Sequence, residues 1–143
     1  TGGQLPATTD PNELMAMNSA RKSGDRARWE DAIHATFCGD QFRHNQPDKF
    51  AALTDLLWET PMSRTARWLS EAYPSHSYWG TCQRPCSLIY GSQDKAGTAP
   101  NAHDLHERLV DSRLNFIEGA GHFVIREAPS DVARLIRDFW KKL

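Results

Sequence analysis

The chain has 143 residues, 39% of them hydrophobic and 24% charged, with 17 basic residues against 18 acidic ones and a formal net charge of −1. That length supports one ordinary domain with a real core, and the balanced charge, with no basic cluster interleaved with aromatics, argues against a nucleic-acid partner. No apolar run approaches the roughly 18 to 20 residues that a membrane span requires, and Thr1-Gly2-Gly3-Gln4-Leu5-Pro6 has neither the charged nor the apolar region of a signal peptide.

Residues 1 to 10 are rich in Gly, Pro, Thr and Asp and read as an exposed lead-in. Asp10-Pro11-Asn12-Glu13 has the form of a helix start, with Asp10 as the cap, and Lys22-Ser23-Gly24 ends the segment. Trp29, Ile33 and Phe37 are spaced four apart and predict a second helix from Arg26 to Phe37, stopped by Gly39. Asp40 to Gln46 is polar and reads as a loop. Pro47 opens a third helix through Glu59 that buries Phe50, Leu53, Leu56 and Leu57, and Pro61 breaks it. A fourth helix runs from Ser63 to about Tyr73, after which Pro74 to Gly80 lead the chain onward. These four helices carry apolar stripes but no strand of their own, so they describe a layer that packs on something else.

The character then changes. Cys86-Ser87-Leu88-Ile89-Tyr90 is a compact apolar run closed by Gly91, a buried strand leaving into the loop Gly91 to Pro100. Asn101 is placed to cap a helix with Leu105, Leu109 and Val110 on one face. A second strand, Arg113 to Ile117, ends in Glu118-Gly119-Ala120-Gly121-His122, where two glycines let the backbone turn sharply. The final segment, Ser130 to Leu143, is amphipathic, capped by Ser130, with Val132, Leu135, Ile136, Phe139 and Trp140 on one side and Lys141 and Lys142 at its negative end.

Strand, loop, helix, strand, loop is a βαβ unit, whose right-handed crossover puts both loops at the same edge of a parallel sheet. Asp94 and His122 are therefore expected to be neighbours. A carboxylate beside an imidazole fixes the tautomer and stabilises the imidazolium formed when the ring accepts a proton from a nucleophile. Singly, an Asp in such a loop is a turn former and a His after Gly an ordinary loop residue. His103 and His106, three apart on a helix, have no third and fourth ligand for zinc, and His34, His44 and His76 have no evident partner. No metal or cofactor is expected. Cys38, Cys82 and Cys86 are too few for a disulfide framework, and ordinary thiols are favoured over a Cys82 to Cys86 disulfide.

The pattern Leu88-Ile89-Tyr90-Gly91-x-x-Asp94, followed by Gly119-Ala120-Gly121-His122-Phe123, Glu127-Ala128-Pro129 and a terminal amphipathic helix, resembles the C-terminal portion of the α/β-hydrolase fold superfamily. The resemblance implies an α/β architecture in which residues 1–80 are a helical cap and return helix, and residues 81–143 are the C-terminal part of the core, a βαβα unit completed by another chain. It gives Asp94 the part of triad acid and His122 that of triad base. It makes Phe123, Trp58 and Met62 candidate substrate contacts, although Trp29, Phe37, Trp58 and Met62 at helical spacing also read as plain core.

The family's nucleophile elbow, Gly-x-Ser-x-Gly or its Asp and Cys versions, occurs nowhere in the chain. The expectation is accordingly a serine nucleophile on a second polypeptide carrying the N-terminal half of the fold, with a small-molecule ester or acyl group as the substrate for hydrolysis or transfer. A non-catalytic binding or assembly subunit is the alternative. A further reading, in which Thr1 is an N-terminal nucleophile, needs the first residues in a strand, and Gln4 to Pro11 make a poor one. The chain is expected to be soluble, with a cytoplasmic setting favoured.

Overall fold

The computed structural model describes residues 11–60 and 82–143. Thr1, Met62 and the helix expected from Ser63 to Tyr73 lie outside them.

The first described half is helical: α1 (Pro11–Ser23), α2 (Arg26–Phe37), α3 (Phe42–Asn45) and α4 (Pro47–Glu59). Gly24, at φ +76°, turns the chain out of α1 in the left-handed region that glycine tolerates without penalty. Asp25 then caps α2, its side chain accepting from the Arg28 N–H. Met17 and Ala20 of α1, Trp29 and Ile33 of α2, and Phe50 and Leu53 of α4 converge with Cys38 and Phe42 on one core. Arg21 ties this layer together. Its guanidinium donates to the carbonyls of Leu57 at 3.0 Å, Trp58 at 2.7 Å and Thr60 at 3.0 Å. Those carbonyls end α4 and have no partner within the helix.

Two expectations in this half are corrected. The segment Asp40 to Gln46 is not loop throughout, because Phe42 is buried against Phe50 and the chain winds one helical turn, α3, around it. A single apolar residue among polar ones leaves no periodicity to read. Leu56 is 47% exposed, because the buried stripe of α4 runs through Phe50, Leu53, Thr54 and Leu57, at i, i+3, i+4 and i+7.

The second half contains β1 (Cys86–Gly91), α5 (Ala99–Arg108), β2 (Ser112–Ile117), α6 (Val124–Glu127) and α7 (Pro129–Trp140). Among the described residues the sheet has two strands, β1 and β2, parallel and in register from Cys86 opposite Ser112 to Gly91 opposite Ile117. Side chains alternate between its faces. Tyr90 and Phe116 stack together and His103 of α5 lies over Phe116. On the opposite face Ile89 and Ile117 pack with Val132 and Leu135 of α7, and the Arg113 guanidinium lies over Phe139. The unit is thus covered by α5 on one side and α7 on the other, as a parallel sheet requires.

Further corrections concern helix ends. Helix α5 begins at Ala99, before the expected cap Asn101, with Thr98 preceding it and a proline in its first turn. Its most buried residue is Ala102, while Val110 lies beyond the helix and is 65% exposed. Helix α7 starts at Pro129, so Ala128 rather than Ser130 occupies the cap position, and it ends at Trp140. Proline there loses no hydrogen bond, because the first N–H groups of a helix have no intrahelical acceptor. The thiols of Cys82 and Cys86 are free and 3.7 Å apart. No helix among the described residues is long and apolar enough to cross a membrane.

Candidate active site

The site is built by the two loops that leave the C-terminal ends of β1 and β2. After Gly91 the chain turns through Ser92 and Gln93 to Asp94, whose Oδ1 accepts the N–H groups of Ala96 at 2.8 Å and Gly97 at 2.7 Å. These local bonds fold the loop around the carboxylate. After Ile117 the chain turns at Gly119, at φ +73°, and delivers His122. Ser92 couples the loops: its hydroxyl accepts the Gly119 N–H at 2.9 Å and its own N–H donates to the Ile117 carbonyl at 2.9 Å. Gly91 has room for no side chain, since a Cβ there would stand 2.2 Å from the Ala120 carbonyl oxygen.

Asp94 and His122, 28 residues apart in sequence, meet with Nδ1 of the imidazole 3.0 Å from Oδ2 and 3.2 Å from Oδ1. The Asp94 side chain is 6% exposed and that of His122 31%. Burial pushes the Asp94 carboxyl upward. The hydrogen bond from His122, the N–H groups of Gly97 and Ala96 and, when the ring is protonated, its charge outweigh it, holding the carboxyl below its ordinary value of 3.8. An ionised carboxylate only accepts, so Nδ1 of the ring carries the proton and Nε2 is left as the acceptor. The pair is oriented to take a proton at Nε2 while Asp94 stabilises the cation that forms.

A third element holds the pair. The C-terminus of α2 presents unpaired carbonyls, as every helix end does, and the site loops satisfy them. The His122 N–H donates to the Phe37 carbonyl at 2.7 Å and the Lys95 ammonium to that of Ala35 at 2.7 Å. The Gln93 side-chain oxygen accepts the Asp40 N–H at 2.7 Å, and Oε2 of Glu127 accepts those of Gly39 at 2.8 Å and Gly121 at 3.0 Å. The sequence marks Glu127 as part of the family pattern but assigns no role to it, nor to Gln93, Lys95 or the α2 terminus. Each acts across 53 to 88 residues of chain, and no local pattern reports such a contact.

Of the expected substrate contacts, Phe123 lies beside the imidazole, its ring 5.7 Å from that of His122 and 6.0 Å from that of Phe37. Trp58 stands in the helical core, edge-on to Trp29 at 5.1 Å and beneath the Arg21 guanidinium. Met62 is outside the described residues. An open cleft lined by Asp40, Ser92, Gln93, Lys95 and Thr98 reaches Asp94. Among the described residues no group of three or more His, Cys, Asp or Glu side chains is placed to hold a metal ion.

A parallel βαβα unit with an Asp and a His at its two strand ends, joined to a layer of helices, is the C-terminal portion of the α/β-hydrolase fold, and solved structures of that fold superimpose on it. A thermophilic esterase from Thermogutta terrifontis matches 99% of this chain and 52% of its own, with a TM-score of 0.75 at 17% identity. The enol-lactonase from Burkholderia xenovorans LB400 matches 92% of this chain and 51% of its own, with a TM-score of 0.70 at 16% identity. In sequence, monoacylglycerol lipase ABHD6 of Mus musculus is 31% identical over 67 residues, which are 47% of this chain and 20% of the lipase. The chain thus spans about half the length of these solved structures and a smaller part of the lipase. No protein-family model matches it.

Proposed function

We propose that Asp94 and His122 are the acid and base of a hydrolase acting on a small ester or other acyl substrate, with a serine nucleophile supplied by the N-terminal half of the fold on a second polypeptide. The observation that carries this reading is the contact of Asp94 with Nδ1 of His122, which leaves Nε2 as a proton acceptor at the open end of two parallel strands. In the assembled enzyme His122 takes the serine proton as the hydroxyl attacks the acyl carbon, then gives it to the leaving group, while Asp94 holds the ring and balances its charge. Residues 1–80 act as the cap over that site, and Phe123 beside His122 contacts the substrate. An esterase, an enol-lactonase and a monoacylglycerol lipase among the similar proteins support an ester or lactone as the substrate class.

An N-terminal half of the fold would also answer a physical need. Among the described residues the sheet has two strands and an unpaired edge, and Ile136 and Trp140 on α7 are exposed. The test is native purification followed by intact-mass measurement and labelling with a serine-directed fluorophosphonate. A labelled partner carrying the nucleophile elbow, whose hydrolysis of a p-nitrophenyl acyl ester is lost on His122→Ala, is the expected result. A labelled serine upstream on the same native polypeptide would replace the two-chain arrangement and keep the roles of Asp94 and His122. A partner without a nucleophile, or full activity in His122→Ala, would refute the catalytic reading.

A further inference from the structure

Glu127 is a buried acid to which the proton-transfer chemistry of Asp94 and His122 gives no part. It ends the single turn α6, five residues after His122, and is 6% exposed. Its Oε2 accepts two backbone N–H groups from distant parts of the chain, Gly121 at 3.0 Å and Gly39 at 2.8 Å. Its Oε1 is buried with no hydrogen-bond partner among the described residues. A buried carboxylate without a cation is costly, and replacement by an apolar residue is often neutral or better where only stability is at stake.

What the acid does there follows from where its two donors lie. Gly121 immediately precedes His122, and Gly39 lies two residues beyond Phe37, whose carbonyl receives the His122 N–H. The two peptide N–H groups on either side of the Gly121 Cα to His122 link are therefore both fixed, one by Oε2 of Glu127 and the next by the end of α2. The segments lie backbone against backbone. A Cβ on Gly39 would fall 2.0 Å from the Gly119 oxygen and one on Gly121 2.5 Å from the Cys38 carbonyl carbon. No side chain fits between them, so one charged oxygen reaching in from α6 joins the two strands of backbone, and charge makes both bonds strong.

We propose that Glu127 is a positioning residue for His122, holding the base loop against the end of α2 so that Nδ1 faces Asp94. This inference rests on the reading of Asp94 and His122 as the catalytic pair. Glutamine keeps an oxygen for both N–H groups and places its amide nitrogen where Oε1 has no donor to lose. Alanine removes the joint.

The experiment uses the protein together with its nucleophile-bearing half and a p-nitrophenyl acyl ester as the probe. It compares wild type with Glu127→Ala, Glu127→Gln and His122→Ala, and also follows the ring Nδ1 proton of His122 by NMR, assigned by its loss in His122→Ala. Displacing a base by about 1 Å costs on the order of 10²-fold in rate, so Glu127→Ala is expected to lower kcat by about that factor with KM little changed and to shift or abolish the ring-proton signal. Glu127→Gln is expected to restore both. Unchanged kcat in Glu127→Ala, or equal losses in the two variants that follow their unfolding, would overturn the proposal. If wild type and His122→Ala have equal activity, the catalytic reading itself fails. The ring-proton signal alone then decides the positioning role, and an unchanged signal in Glu127→Ala refutes it.

Discussion

The peptide N–H of His122 donates to the carbonyl of Phe37 at 2.7 Å, so the turn that carries the imidazole is anchored to the last residue of α2. This bond is one of several between the helical layer and the sheet loops, and the close approach is permitted by glycines. Two neighbouring glycines answer to different constraints. Gly119 has open space around its missing side chain but φ of +73°, whereas Gly121 meets the α2 terminus at once.

The contrast predicts different substitution effects. Gly119→Ala is expected to cost about 1 to 2 kcal/mol, the penalty of a side chain in the left-handed region. Gly121→Ala forces the backbone apart and is expected to cost about 3 kcal/mol, the upper end for overpacking, and to break the Phe37 to His122 bond. Urea denaturation of both variants measures the difference. Amide exchange of His122 reports the bond, with faster exchange expected in Gly121→Ala.

Stability should also depend on acid through Asp94. Its folded-state carboxyl titrates below the ordinary value of 3.8. The unfolded chain therefore binds a proton there before the folded one does, and the contribution is fully present above about 3.8 and lost as pH falls through the lowered folded value. Comparing unfolding of wild type and Asp94→Asn between pH 5 and pH 2 checks the sign: the difference between them should shrink as pH falls below about 4.

Much of this architecture can be read from the chain in order. Trp29 and Ile33 repeat at helical spacing and are buried, and Cys86 to Tyr90 is apolar and proves to be strand. The handedness of βαβ crossovers alone brings Asp94 and His122 to one edge of the sheet. What resisted reading obeys no period. Phe42 and Glu127 lie in single helical turns, and Glu127 acts on Gly39 from 88 residues away. The ends of α5 and α7 were misplaced because a proline in the first turn set the start ahead of the polar residue that looked like a cap.

The cysteines should divide by reactivity. Cys38 is buried in the helical core, and burial together with the nearby charge of Glu127 pushes its thiol up to about 12. Cys82 and Cys86 are both partly exposed. Partial burial and the neighbouring Cys82 thiol hold that of Cys86 above its ordinary value; since the thiolate is the reactive form, iodoacetamide at pH 8 is expected to modify Cys82 first and Cys86 more slowly in the native chain, and Cys38 only after denaturation. Mass spectrometry of tryptic peptides distinguishes these outcomes.

Asp94→Asn tests the chemistry of the pair apart from its shape. The asparagine keeps the volume and one oxygen of the carboxylate, so the turn through Ala96 and Gly97 retains an acceptor. Toward His122, however, the amide NH2 donates to Nδ1 and drives the ring proton to Nε2, the atom that the proposed reaction needs as an acceptor. A fold that survives with the wrong tautomer should lose about 10⁴ in kcat, with KM little changed. His122→Ala should fall by a comparable factor, and the double variant no further than the more damaged single one, because the two residues act as a unit. Steady-state kinetics on the assembled enzyme measure all three. Additive losses in the double variant would mean that Asp94 acts independently of His122, which the 3.0 Å contact between them argues against.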